Sequence, residues 1–186
     1  SGYQFVPVWL GGGRNIMVDR FDPTDVLDLL ERERIAYLFM VPTMLNAVNR
    51  LPGLEGRDFS YLKCMLVAAA PIADDTALTA KKYFGHAMYQ GYGQTEVLPL
   101  AMMGPKQWFA TDVPGSTPLR ACGLPLPFIQ VQIWDEDNKK VPAGTVGEIV
   151  GKADGQMTGF WNNPEATAER MVDGWVKTGD VGYLDA

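Results

Sequence analysis

The chain has 186 residues, 47% hydrophobic and 20% charged, with a net charge of −6. That balance suits one packed domain, or a domain plus part of another, and excludes a disordered chain. The negative charge, with no clustered Lys and Arg, argues against a nucleic-acid partner. No apolar run approaches the roughly 20 residues needed to span a bilayer, and no charged-then-apolar signal peptide opens the sequence.

In chain order, FVPVWL (5–10) and NIMV (15–18) are expected as short strands separated by Gly11, Gly12 and Gly13. The glycine run invites a phosphate-loop reading, but no GK[ST] follows, so a tight connection is expected instead. DPTDVLDLLERER (22–34) predicts a helix: Asp22 as N-cap, Pro23 at the first helical position, Asp25 in the first turn. Val26, Leu27 and Leu30 form its apolar stripe, and Arg32 and Arg34 suit the negative end of its dipole.

IAYLFM (35–40) follows as a buried strand, then a helix opened by Pro42, a strand over KCMLVAAAP (63–71) and a helix over 74–85. HAMYQGYG (86–93) is expected as a third strand. Strand, helix, strand, helix, strand at this spacing predicts a parallel α/β layer, in which ligands bind beyond the carboxyl ends of the strands. Both AAAP (68–71) and GYGQTE (91–96) fall near such ends.

Past about residue 105, Pro and Gly become frequent, and FIQVQIWD (128–135) and GEIVGK (147–152) read as antiparallel strands joined by turn residues. NNPEATAERM (162–171) predicts one more helix, with Asn163 as N-cap and Pro164 after it. The fold class is therefore α/β, a parallel βαβ layer followed by a small antiparallel β unit, with expected subdomains at 1–117 and 118–186.

Several chemistries are set aside by residue type. His86 is the single histidine, so neither a His-rich zinc site nor an HExxH helix exists, and its place before an apolar run favours a structural role. Ser1, Ser60 and Ser116 lie in no GxSxG elbow. Cys64 and Cys122 stand in no metal-ligand spacing, so a reduced, cytoplasmic setting is expected.

GYGQTE has two readings. Its glycines permit close backbone approach, its ring can stack on a base, its threonine can donate to a phosphate oxygen, and its glutamate suggests Mg²⁺. The plainer reading is a glycine-rich strand exit with an exposed acid. KTGD (177–180) likewise reads either as a turn or as an acceptor, Asp180, for the two hydroxyls of a ribose.

Taken together and in order, VPTML (41–45), AAAPI (68–72), GYGQTE (91–96), GEIVGK…GFWNNPEATAE (147–169) and WVKTGD (175–180) resemble the acyl-CoA synthetase branch of the adenylate-forming, AMP-binding enzymes. The resemblance implies a two-step reaction. A small-molecule carboxylic acid attacks the α-phosphate of Mg-ATP to give acyl-AMP and pyrophosphate, and coenzyme A then takes the acyl group.

The resemblance also implies residue roles. Tyr92 would stack on adenine with Ala69, Ala70 and Pro71 as the opposite wall, and Gln90, Gly91, Gly93 and Gln94 would shape the loop around the nucleotide. Thr95 would contact the α-phosphate, Glu96 would hold Mg²⁺, and Asp180 would bind the ribose hydroxyls. Members of the family often carry glycine where this chain has Ala68 and Ala69. Val97 and Met44 would lie near the acyl pocket, a position they share with the alternative of plain core residues.

The family's phosphate loop would precede residue 1 and its C-terminal domain, with a late lysine, would follow the end of the sequence. The expectation is a middle piece of an enzyme roughly three times as long, inactive by itself. A peptide-synthetase adenylation domain and a non-catalytic nucleotide-binding module are the alternatives. Homo-oligomerisation is compatible with the sequence, and the acid is not fixed by it.

Overall fold

The computed structural model describes residues 2–185. Contacts divide the chain into two compact units, Ser1–Met88 and Tyr89–Ala186, a division that falls before the subdomain boundary expected between residues 117 and 118.

In the first unit, residues expected as a strand form a helix, α1 (Gly2–Leu10). A short apolar run does not distinguish strand from helix by periodicity. The spacing decides here: Phe5 and Trp9, four residues apart, bring their rings to 4.3 Å. NIMV (15–18), also expected as a strand, is irregular. The glycine run is the tight connection expected: Gly13 N donates to Val8 O at 2.7 Å, and Gly12 takes the left-handed φ of 75°.

Helix α2 (Pro23–Arg32) starts as its sequence dictates, with Asp22 Oδ1 accepting from the backbone N–H of Thr24 and Asp25 at 2.9 and 3.1 Å. Its Leu27 and Leu30 are buried. Strand β1 (Tyr37–Met40) runs parallel to β2 (Cys64–Val67), in register from Tyr37 opposite Cys64 to Met40 opposite Val67. The crossover is helix α3 (Pro42–Asn49), which buries Pro42, Leu45 and Val48 at three-residue intervals.

Helix α4 (Asp74–Phe84) has acids in its first turn and lysines near its end, and Ala77 and Ala80 on its inner face are fully buried. Asn49 Nδ2 donates to Thr76 O at 2.9 Å, fastening α3 to α4. Phe84 completes the packing against Phe59, ring centroids 4.6 Å apart. Each fully buried side chain of this size contributes roughly 1.5–3 kcal/mol.

Strand β3 (Met88–Gln94) is present as expected and carries GYGQ, the first four residues of GYGQTE. Its antiparallel partner β4 (Val97–Met103) was not expected, because Pro99 interrupts a run that otherwise reads as a strand. Antiparallel pairing therefore begins earlier in the chain than the turn-rich segment implies. Helix α5 (Pro105–Trp108) and strand β5 (Leu124–Pro125) follow, with β5 pairing on β4.

A second antiparallel sheet holds β6 (Gln130–Trp134), β7 (Gly147–Lys152), β8 (Met171–Val172) and β9 (Trp175–Gly182), in the order β6-β7-β9-β8. Helix α6 (Pro164–Arg170) is capped as predicted, Asn163 Oδ1 accepting from Ala166 N at 3.1 Å. Within the second unit the two sheets meet at β4: Val97 and Leu100 pack with Ile129 and Val176, and Tyr92, Leu126 and Val131 close the cluster. Gly151 on β7 permits this approach, since a Cβ there would collide with the Leu100 side chain. No described helix is long and apolar enough to cross a membrane.

Candidate functional site

The residues singled out from 90 to 96 lie on β3 and its turn, not in a loop beyond the strand. Gln90, Gly91 and Tyr92 pair with Met103, Met102 and Ala101, after which the register shifts between Tyr92 and Gln94. Gly93 is the residue of the irregularity. A Cβ on it would come within 2.7 Å of Leu98 Cδ1 and 3.2 Å of Leu100 N, so no larger residue fits without movement. Gln90 Oε1 is buried without a hydrogen-bond partner among the described residues.

Gln94 and Val97 are paired, which makes Thr95 and Glu96 the two residues of a hairpin turn. Thr95 is exposed and Glu96 half-buried. The backbone carbonyl of Glu96 accepts from Met157 N at 2.8 Å, which ties the turn to the residues after β7. The Glu96 carboxylate has no hydrogen bond or ion pair among the described residues.

Strand β9 brings the second motif to the same place. Tyr92 Oη donates to Asp180 Oδ2 at 2.7 Å, and Gln94 Nε2 donates to the same oxygen at 2.9 Å and to Thr178 O at 2.7 Å. Residues from the two motifs thus converge inside one compact unit.

The backbone around Asp180 is held by residues that the sequence reading did not assign. Thr178 is buried; its Oγ1 donates to Ile149 O at 2.7 Å and accepts from Asp180 N at 3.1 Å. Glu148 Oε1 accepts from Gly179 N at 2.9 Å while its Oε2 pairs with Lys177 Nζ at 3.2 Å. Gly179 adopts φ 76°, with a would-be Cβ 2.8 Å from Arg170 Nη1. Thr178 and Glu148 sit inside quoted motifs, but only pairing of β7 with β9 reveals what they touch.

Electrostatics follow from this packing. Burial pushes the Tyr92 phenol well above its ordinary range; a hydrogen bond with Thr178 opposes that shift and the Asp180 carboxylate adds to it. Burial also raises the Cys122 thiol, and its own backbone hydrogen bond only partly offsets this before Asp180 adds a smaller push. A thiol held protonated is a poor nucleophile.

Ala69, Ala70 and Pro71 belong to the first unit, where they are exposed and follow β2. Ala69 has φ 73°, a conformation that glycine adopts freely and an L side chain does not. His86, also in that unit, has Nε2 3.2 Å from Leu62 O.

Among the described residues, no three His, Cys, Asp or Glu side chains gather into a metal cage. Mg²⁺ needs no such cage, since it keeps several waters and takes one or two carboxylates together with substrate phosphates. Glu96, with its carboxylate unengaged on a turn, is a residue of the right kind.

The fold and this paired motif define a class, the adenylate-forming enzymes. The model of the AMP-binding enzyme family matches residues 1–161, and the chain belongs to that family. It is 37% identical over 186 residues to a feruloyl-CoA synthase of an Amycolatopsis species, covering 99% of this chain and 36% of that protein. It is 34% identical over 182 residues to a medium/long-chain-fatty-acid–CoA ligase of Mycobacterium tuberculosis, covering 98% of this chain and 31% of that one.

Among solved structures, amide bond synthetase McbA from Marinactinospora thermotolerans superposes with a TM-score of 0.81 at 32% identity, over 90% of this chain and 34% of that one. ATP-bound MatB from Rhodopseudomonas palustris gives 0.80 at 29% identity, over 99% and 36%. The chain thus spans about a third of the length of the proteins it matches, 36% of the feruloyl-CoA synthase.

Proposed function

We propose that this chain supplies the nucleotide-binding part of an ATP-dependent acid–thiol ligase that activates a fatty or aryl carboxylic acid and passes it to coenzyme A. The observation that carries the reading is the convergence of Tyr92 and Gln94 on Asp180, which joins an aromatic face to a ribose acceptor. The CoA synthases and ligases among its relatives support the substrate class.

In the first step a carboxylate oxygen of the acid forms a bond to the α-phosphorus of ATP, and the bond to the pyrophosphate oxygen breaks. In the second, the thiol sulfur of coenzyme A attacks the acyl carbonyl, AMP leaves with the bonding pair, and the thiol proton passes to solvent. In this reading Tyr92 offers its ring to the adenine and Asp180 accepts from the ribose. Thr95 donates to an α-phosphate oxygen, where charge grows as the bond forms, so its hydrogen bond strengthens on the way to the transition state. Glu96 would hold Mg²⁺, which would supply charge neutralisation at the phosphates.

The test is ATP–pyrophosphate exchange by the protein carrying this chain, across fatty, aryl and amino acids. Exchange with fatty or aryl acids supports the proposal. Exchange with amino acids alone moves the chain to peptide-synthetase chemistry, and no exchange with any acid by folded protein leaves a nucleotide-binding module.

A further inference from the structure

The side chain of Gln94 does more than the nucleotide reading asks of it. An amide nitrogen carries two donors. Both are used here on groups two residues apart, one on the Thr178 carbonyl at 2.7 Å and one on Asp180 Oδ2 at 2.9 Å. That bridge spans backbone and carboxylate of one short stretch of β9, so it fixes the rotation of the Asp180 side chain relative to its own strand.

The stretch itself is immobilised from the opposite side. The Thr178 hydroxyl bonds to Ile149 O, and Gly179 N bonds to Glu148. Asp180 is exposed, so packing does not restrain its carboxylate from turning. Tyr92 Oη takes Oδ2 as well. Both protein donors therefore converge on one oxygen, and no donor among the described residues takes Oδ1.

We infer that Gln94 is a positioning residue that orients the Asp180 carboxylate, with Oδ1 outward, for a vicinal diol of the ligand. The inference rests on the nucleotide reading above and adds to it a residue that sets selectivity for ribose hydroxyls without touching them. A carboxylate held in one rotamer accepts from a diol without first losing its own rotational freedom, and a charge-assisted hydrogen bond to a fixed acceptor is the stronger kind.

The experiment compares binding of adenosine and 2′,3′-dideoxyadenosine by calorimetry in the wild-type protein, in Gln94→Met and in Gln94→Glu. Methionine keeps the length and apolar stem of the side chain, and glutamate its shape, but neither offers an amide donor. Wild type is expected to prefer adenosine by about tenfold or more, the scale of hydrogen bonds to a charged acceptor. In both variants that ratio falls to within about threefold.

A purely structural role would weaken the two ligands together and leave the ratio intact, which overturns the inference while the nucleotide reading stands. A ratio that survives in either folded variant does the same. If wild type binds neither nucleoside, the nucleotide reading falls and this inference with it. Wild type binding both equally well overturns the inference without needing a variant.

Discussion

Tyr92 and Asp180, 88 positions apart in the sequence, are joined by a 2.7 Å hydrogen bond from the phenol to the carboxylate. The bond links β3 to β9. It also divides the work of Tyr92 into a ring and a hydroxyl, which substitution can separate.

Tyr92→Phe removes the hydroxyl and keeps the ring. Because Asp180 is exposed and retains the Gln94 donor, the variant is expected to bind AMP within a few-fold of wild type. Tyr92→Ala removes the stacking surface and costs roughly 1–3 kcal/mol of binding, the usual value of a base on an aromatic face. Calorimetric titration of AMP into the three proteins checks both, and equal losses in Phe and Ala would refute the stacking assignment.

The same phenol predicts an alkaline weakness. In the unfolded chain a tyrosine ionises near its ordinary 10.0, while burial first and Asp180 further hold the proton on Tyr92 to higher pH in the fold. Between those two values the native state binds more protons than the unfolded one. Stability is therefore fully present below about pH 10 and falls as pH rises beyond it. Urea unfolding at stepped pH should show a steeper decline above pH 10 for wild type than for Tyr92→Phe. Parallel curves would mean that Tyr92 titrates as a free phenol.

The elements legible in sequence were those with a local signal. Asp22 and Asn163 announced their helices because a cap is a contact between residues two or three apart. α1 was misread because six apolar residues carry no period that excludes either structure. β4 went unassigned because Pro99 argues against a strand, and only its partner β3 overrides that local preference. In the site, residue types pointed to Tyr92 and Asp180 as separate features. Thr178 and Glu148 stayed hidden, since their partners Ile149 and Gly179 come from pairing across some thirty residues, a separation no local pattern encodes.

Ala69 offers a test of strain in the first unit. Its φ of 73° costs an L residue roughly 1–2 kcal/mol, and its exposure means little packing is lost when its methyl is removed. Glycine relieves that cost but gains freedom in the unfolded chain, which takes back about 0.5–1 kcal/mol. Ala69→Gly should thus raise stability by roughly 0.5–1 kcal/mol, read from the midpoint of denaturant unfolding at constant slope. A destabilised variant would show that the left-handed turn is not the strained feature its geometry indicates.

Thr95 and Glu96 separate chemistry from stability. Both belong to a two-residue turn, their side chains make no hydrogen bond among the described residues, and the contact that fastens the turn is the Glu96 backbone carbonyl with Met157 N at 2.8 Å. Alanine at either position leaves that bond in place. Thr95→Ala, at an exposed position, is therefore expected to unfold within about 0.5 kcal/mol of wild type, and Glu96→Ala, half-buried but without a side-chain partner among the described residues, within about 1 kcal/mol. If the turn faces the phosphates, each loses at least about a hundredfold in ATP–pyrophosphate exchange, the scale of removing one group that stabilises developing charge. The Glu96→Ala loss should be partly recovered at raised Mg²⁺ if this carboxylate is the protein's ligand for the ion, because mass action refills a weakened site. Exchange that survives in both stable variants would place the phosphates elsewhere and leave the hairpin turn a structural link between the two sheets.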